Sequence, residues 1–288
     1  MKELEELRQE LATTDKALVE HFLQRMNIVD RVADHKQKAK SKVYAPEQEA
    51  KVLERVQSQM PPELAPYGRV FLETLMRLSR ERQYARLIDQ DQCWQLGRVL
   101  REAQGRSPQV EKVIIPKGLG RDGARVAQHM YPDASIAQAG SFDGICRQVL
   151  DGQADLAILP LQEDVFFLLE EHRLFIQACS IHADNRFLAV GRQLTVPAGE
   201  GLMGLLIRAD DQVKALSLAV QVLADLNLGV VQIQPLQDSS HYLSFLAVPG
   251  NPQVVRALYQ LEKEAPGMYL LGWYDQRSSS ISLVNSRG

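Results

Sequence analysis

Residues 18–36 read Leu-Val-Glu-His-Phe-Leu-Gln-Arg-Met-Asn-Ile-Val-Asp-Arg-Val-Ala-Asp-His-Lys. Leu18, Phe22, Met26, Val29 and Val32 recur at helical spacing, and Leu4, Leu7 and Leu11 extend the pattern upstream. The stripe runs for about eight turns, too long for an ordinary globular helix without partners. Arg25 and Lys36 stand eleven residues apart within it. That is near three full turns, so the two share one face with backbones about 16 Å apart. Two long cationic side chains so placed can converge on a small dianion. Arg8 lies seventeen residues before Arg25, about 25 Å along the axis. A straight helix cannot bring Arg8 to the same ligand, whereas a second chain packed alongside can.

The helix should fade near Lys40-Ser41-Lys42. Val43-Tyr44-Ala45 reads as an extended link, since Pro46 disfavours a helical Ala45. Pro46 suits the first turn of a second helix that runs through Gln57. Met60-Pro61-Pro62 breaks the chain again. A third helix is expected from Pro66 to Leu87, with Val70, Leu72, Leu75, Met76 and Leu78 available for burial. Ser79 and Gln83 form an i, i+4 pair on it and face one way. Residues 1–88 carry no strand signal and read as a helical domain.

Residues 89–110 read as a helical linker, after which the pattern changes. Strands are expected at Val110–Ile115, Ala134–Ala139, Asp155–Pro160 and Phe187–Val190, and helices at Arg121–Met130 and Phe142–Leu150. That alternation argues for an α/β lobe with a parallel sheet over 111–194. From 195 to 276 the order is strand, helix, strand, strand, helix, strand: the ferredoxin-like βαββαβ unit. The elements are Leu202–Ile207, Asp211–Leu226, Gly229–Ile233, Leu243–Val248, Pro252–Ala265 and Met268–Trp273. Residues 277–288 read as a mobile tail. The fold class is multidomain α plus α/β.

Composition narrows the function. The chain has 288 residues, 33 Lys+Arg against 36 Asp+Glu, and a net charge of −3. That gives no general pull toward nucleic acid or an anionic membrane. No apolar run approaches the roughly 18 residues of a membrane helix. The charged N-terminus has no signal-peptide core, so a cytoplasmic protein is expected. Cys93, Cys146 and Cys179 are odd in number and far apart, and form neither a disulfide framework nor a metal spacing. Cys146, Met26 and Met76 read as packing residues, and Trp94 and Trp273 as interface anchors. Gly118-Leu119-Gly120-Arg121-Asp122-Gly123 is a literal GxGxxG. A dinucleotide site also needs an acidic residue about 20 positions on. The second strand ends Ala137-Gln138-Ala139-Gly140 without one, so a glycine-rich turn is expected. No cofactor and no metal are expected.

Leu7-Arg8, Asp15, Arg25, Lys36, Val43-Tyr44, Pro46, Glu49, Ser79 and Gln83 carry a resemblance. In order and spacing this run resembles the all-helical chorismate mutases, over about 85 residues of the chain. The resemblance implies a homodimer of three-helix chains in which each site borrows an Arg from the partner's long helix. Chorismate to prephenate is a unimolecular pericyclic rearrangement that needs no nucleophile, metal or proton transfer. The enzyme holds the substrate in its compact reactive shape and stabilises charge separating at the breaking C–O bond. By resemblance, Arg8 from the partner and Arg25 hold the substrate carboxylates. Lys36 and Gln83 donate to the ether oxygen, Glu49 accepts from the ring hydroxyl, and Ser79 helps orient a carboxylate. Gln48 also belongs to the substrate-binding set, but the family usually has Arg there, and Asp where this chain has Ala45.

The middle segment resembles prephenate dehydratase, to which such mutases are often fused. The matching stretches are Pro116–Gly123, Gly152-Gln153-Ala154-Asp155 with the strand ending Pro160, and Asn185-Arg186-Phe187. The family's Glu-Asn-Ser is Gln162-Glu163-Asp164 here, and the Thr of its Thr-Arg-Phe is Asn185. The chain between Pro160 and Asn185 is too short for the family's second lobe. The resemblance therefore implies a degenerate lobe without dehydratase activity. Residues 195–276 resemble an ACT regulatory domain, which implies an amino-acid effector. The family's Gly-Ala-Leu is Lys214-Ala215-Leu216, and its Glu-Ser-Arg-Pro aligns with Gln234-Pro235-Leu236-Gln237. His241 reads as a surface residue of a hairpin. The alternative to a mutase is a non-catalytic regulator that senses an aromatic metabolite or binds a partner enzyme.

Overall fold

A computed structural model describes residues 2–105, 109–182, 185–208, 212–265 and 267–278. The chain forms two compact units, residues 1–93 and 94–288.

The first unit is three helices: α1 (Lys2–Lys38), α2 (Pro46–Gln57) and α3 (Ala65–Leu87). At 1.5 Å per residue, the 37 residues of α1 extend roughly 55 Å. Among the described residues, its C-terminal part is the part that packs within the chain. Val29 and Ala33 are buried, as are Met76 and Tyr84 on α3. Arg82 donates to both oxygens of Asp30 at 2.8 Å. Arg86 does the same to Asp34 at 2.6 and 3.0 Å. These pairs lock α3 to α1 in register. The N-terminal half of α1 is different: Leu4, Leu7, Leu11, Leu18, Val19 and Leu23 are all exposed. Pro46 occupies the first turn of α2, where its missing N–H costs nothing.

The second unit opens with α4 (Gln95–Ala103) and, among the described residues, is built on nine strands. They are β1 (Lys112–Pro116), β2 (Ser135–Ala139), β3 (Leu156–Pro160), β4 (Phe175–His182), β5 (Asn185–Gly191), β6 (Gly201–Ile207), β7 (Val230–Pro235), β8 (His241–Ala247) and β9 (Met268–Ser278). The helices among them are α5 (Gly120–Met130), α6 (Phe142–Leu150), α7 (Glu163–His172), α8 (Gln212–Asp225) and α9 (Pro252–Glu264). One sheet holds all nine strands in the order β2-β1-β3-β5-β4-β9-β6-β8-β7. It is mixed, which corrects the parallel sheet expected. β1 runs parallel to β2 and β3, and β4 to β9, while the remaining pairs are antiparallel. The difference comes from residues 161–193. They fold as α7, β4 and β5, and the β4–β5 hairpin brings β5 back antiparallel to β3.

Alternation of side chains explains the burial. Val113, Ile115, Leu156 and Ile158 pack with Val126, Ala127 and Met130 of α5. Ile114, Ala157 and Leu159 point the other way, toward Ile145 and Val149 of α6 and Val165, Phe166 and Leu169 of α7. Strands covered on both faces read as continuous apolar runs. Trp94 places α4 on α9: its indole donates to Glu262, and its ring meets Tyr259 edge-on at 5.0 Å. Trp273 is buried and donates to the Ala247 carbonyl at 3.4 Å. Cys146 and Met76 are buried, and Met26 is half-buried.

β9 lies against β4 along a seam closed by Gly272. A Cβ there would stand 2.2 Å from the Ile176 carbonyl oxygen. β9 continues to Ser278, and the rest of the expected tail lies outside the described residues. The hairpin reading of His241 also changes. His241 opens β8 and is half-buried, and Tyr242 is buried, stacked on Phe166 at 4.7 Å and bonded to the Tyr274 hydroxyl at 2.7 Å.

Candidate active site

The cationic site belongs to the first unit and begins where α1 stops. Lys40 adopts a left-handed φ of 51°. Its N–H bonds to the Gln37 carbonyl, and the Ser41 N–H reaches back to the Lys36 carbonyl at 2.9 Å. This paired arrangement ends the helix and turns the chain into the link before α2. The Lys36 ammonium donates to the Val43 carbonyl at 2.6 Å, across that link. Lys36 and the last turn of α1 also sit at the negative end of the helix dipole, which favours a cation.

Arg25 is half-buried and turns toward α3. Its guanidinium donates to Ser79 Oγ and to the Leu75 carbonyl, the latter at 3.1 Å. Ser79 Oγ bonds the same carbonyl at 2.5 Å. Gln83 is buried one turn on, and its amide nitrogen donates to the Ser79 carbonyl at 3.1 Å. Gln83 Oε1 is buried with no hydrogen-bond partner among the described residues. Glu49, in the first turn of α2, accepts from Arg80 Nη1 at 2.6 Å.

The electrostatics tie these groups together. Burial pushes the Arg25 and Lys36 pKa values down, and the charge of Glu49 opposes both shifts. Arg80 pushes Lys36 further down. Arg25, Lys36 and Arg80 thus share the field of one carboxylate. Each donor is turned onto an acceptor of its own chain.

The structure brings Arg25, Lys36, Glu49, Ser79 and Gln83 into this region. Gln48 is exposed on α2, and Ala45 is half-buried at its start. Arg8 is exposed on α1, with Glu5 3.4 Å away as partner. Arg80 was missed in the sequence. It adjoins Ser79 and lies three residues before Gln83, so a helical wheel drawn through those two places it on the same side. It is buried, and its guanidinium lies over the Tyr44 ring, 4.9 Å from the centroid.

Residues 7–84 match the family model for chorismate mutase type II. The match spans most of α1, all of α2 and nearly all of α3, and covers every residue of the cationic site named above. No curated protein matches the chain. Among solved structures, a chain described as GqqA, a novel type of quorum quenching acylases, is 24% identical. That likeness covers 57% of this chain and 94% of the other, at a TM-score of 0.48. Prephenate dehydratase from Streptococcus mutans is 19% identical over 58% of this chain and 98% of its own, at a TM-score of 0.48. Prephenate dehydratase from Arthrobacter aurescens, in complex with L-Phe, is 14% identical over 57% and 89%, at 0.45.

Beyond the helical unit, the glycine-rich turn at 118–123 has a local cause. Gly120 opens α5 with a φ of 53°, which favours glycine. Asp143, Glu171 and His172 place ligand-type atoms within 4.8 Å of one another. Asp143 is engaged there by His172 at 2.8 Å and Arg147 at 3.1 Å. Glu163 accepts from the Gln237 N–H at 3.3 Å, and Arg186 donates to Gln232 at 3.1 Å. No helix among the described residues is long and apolar enough to cross a membrane.

Proposed function

We propose that the protein is a dimeric chorismate mutase of the cytoplasm. One observation carries this reading: the family match at 7–84 contains Arg25 and Lys36, which share the field of Glu49, together with Ser79 bonded to Arg25 and Gln83 one turn beyond it on α3. Chorismate carries two carboxylates, and the half-buried cations supply complementary charge. Arg25 and the partner's copy of Arg8 hold the carboxylates, with Ser79 orienting one of them. Lys36 and Gln83 donate to the ether oxygen as negative charge develops on it. Glu49 accepts from the ring hydroxyl, beside Gln48. The pocket restricts the substrate to its reactive conformer and meets the separating charge with fixed donors. No metal or cofactor is required.

The exposed apolar stripe of α1 supports the dimer. Leu4, Leu7, Leu11, Leu18, Val19 and Leu23 form a surface that a second α1 covers. Packed alongside, that second helix brings its Arg8 to the site that this chain's own Arg8 does not reach.

For the second unit, Asn185 and Gln162-Glu163-Asp164 lack the dehydratase groups. The residues between Pro160 and Asn185 are spent on α7 and β4. The reading is a lobe without dehydratase activity. The order β9-β6-β8-β7 supports an ACT-like ferredoxin unit over 195–276, and Lys214 with Gln234–Gln237 leaves a different amino-acid effector and a purely dimerising role equally open.

Loss of chorismate absorbance with the purified full chain tests the mutase. Saturable turnover is expected. Its absence overturns the mutase and favours the metabolite-sensing regulator, through Ala45 and Gln48. Phenylpyruvate formed from prephenate by the same protein would overturn the inactive lobe.

A further inference from the structure

Resting on the mutase reading, we infer that Arg80 supplies from α3 the pocket cation that α2 lacks at position 48, and that it fixes the Glu49 carboxylate for the substrate's hydroxyl. Gln48 is exposed and neutral, and Ala45 offers no carboxylate. Glu49 is therefore the acceptor left on that side of the pocket. A lone carboxylate among cations has several directions in which to turn. Arg80 settles its direction with a charge-assisted bond of 2.6 Å. The Tyr44 ring beneath the guanidinium fixes the plane from which that bond is made.

A purely structural role explains Arg80 less well. Burying a charged pair costs desolvation that its mutual attraction often fails to recover. An apolar residue there would pack against Tyr44 without that cost. Arg80 also keeps the company of site residues. It is next to Ser79, one turn before Gln83, and close enough for its charge to act on Lys36. Arg80 is a positioning residue that acts through Glu49.

The test measures chorismate turnover and thermal unfolding of the full chain. The variants are Arg80→Gln, Arg80→Lys, Glu49→Gln, the pair Arg80→Gln/Glu49→Gln, and Arg80→Gln/Gln48→Arg. Arg80→Gln should lose about 10²-fold in kcat/KM, the scale of a misplaced catalytic group. The double variant should lose no more than its worse single parent, because the two residues act as one unit. Gln48→Arg should restore part of the loss, a response that a packing role would not give. Where Arg80→Gln fails to fold, Arg80→Lys decides. It keeps the charge but not the planar fork, and should still lose at least about tenfold in kcat/KM with an unfolding temperature near wild type. Near-wild-type turnover in the folded Arg80 variants, fully additive losses, or no rescue from position 48 overturns the inference while the mutase stands. No turnover by the wild type overturns both.

Discussion

Lys36 holds the link to Val43 from both of its ends. Its ammonium donates to the Val43 carbonyl at 2.6 Å, and its own carbonyl accepts from the Ser41 N–H at 2.9 Å. One residue thus sets both the end of α1 and the entry to α2. Lys36→Ala removes the proposed ether-oxygen donor and leaves the Val43 carbonyl without the Lys36 bond. We expect kcat/KM for chorismate to fall by about 10²–10³-fold, the scale of one lost electrostatic donor. Lys36→Arg should not restore it, because a planar fork does not replace a compact ammonium. Steady-state absorbance assays check both.

The pH profile should carry the mark of that lysine. Burial lowers the Lys36 pKa below its ordinary 10.5, Arg80 adds to the shift, and Glu49 opposes it. The ammonium is therefore lost at a lower pH than in a free lysine. The kcat/KM profile, which reports the free enzyme, should decline on an alkaline limb below pH 10.5. A bound dianion favours the charged form, so the kcat limb should lie higher. Stability moves the other way. A depressed lysine pKa penalises the folded state below the folded pKa, and the penalty is relieved as pH rises from there to the ordinary value. Parallel loss of activity and of this lysine's stability contribution would contradict the assignment.

Hybrid dimers test the shared site. Arg8→Ala and Lys36→Ala chains should each be inactive alone. In a mixed dimer, the Arg8→Ala chain keeps its own Lys36 and receives Arg8 from the other chain. Random mixing should then restore about a quarter of wild-type sites, through the two-fold symmetry of the pair. Mixing without any recovery would place Arg8 outside the site. Leu11→Asp should block the dimer in a sedimentation experiment and silence turnover with it.

Gly272 should prove hard to replace. A Cβ at that position meets the backbone oxygen of Ile176, which cannot swing aside as a side chain does. Gly272→Ala should destabilise the second unit by about 1–3 kcal/mol, the usual cost of overpacking, seen as a lower unfolding temperature. Mutase turnover measured well below that temperature should be unchanged.

The helical unit was legible because its signals are local. Pro46 sits at the first turn of α2, Met60-Pro61-Pro62 separates α2 from α3, and the spacing of Arg25 and Lys36 follows from helix geometry alone. The strands β1, β2 and β3 were legible for a similar reason, as short apolar runs closed by turns. Residues 161–193 were not. Phe175–His182 mixes Gln177, Ser180 and His182 with its apolar residues, and what makes it a strand is its long-range pairing with β5 and β9. The mixed sheet depends on the same pairings. Arg80 escaped notice because a charged residue on a helix reads by default as solvent-facing. Its burial follows from Tyr44 and Glu49, which are distant in sequence and belong to other segments.

The donors of the site are each satisfied within the chain, Lys36 by Val43, Arg25 by Leu75 and Ser79, Gln83 by Ser79 and Arg80 by Glu49. Ligand capture here is consequently an exchange reaction. A bond that a dianion takes from the Lys36 or Arg25 donors already engaged replaces one those groups had, so its net enthalpy is a small difference of large quantities. The contact list of a bound complex would then overstate affinity. Selectivity rests on which anion can replace several internal acceptors at once, a condition that favours two carboxylates over one.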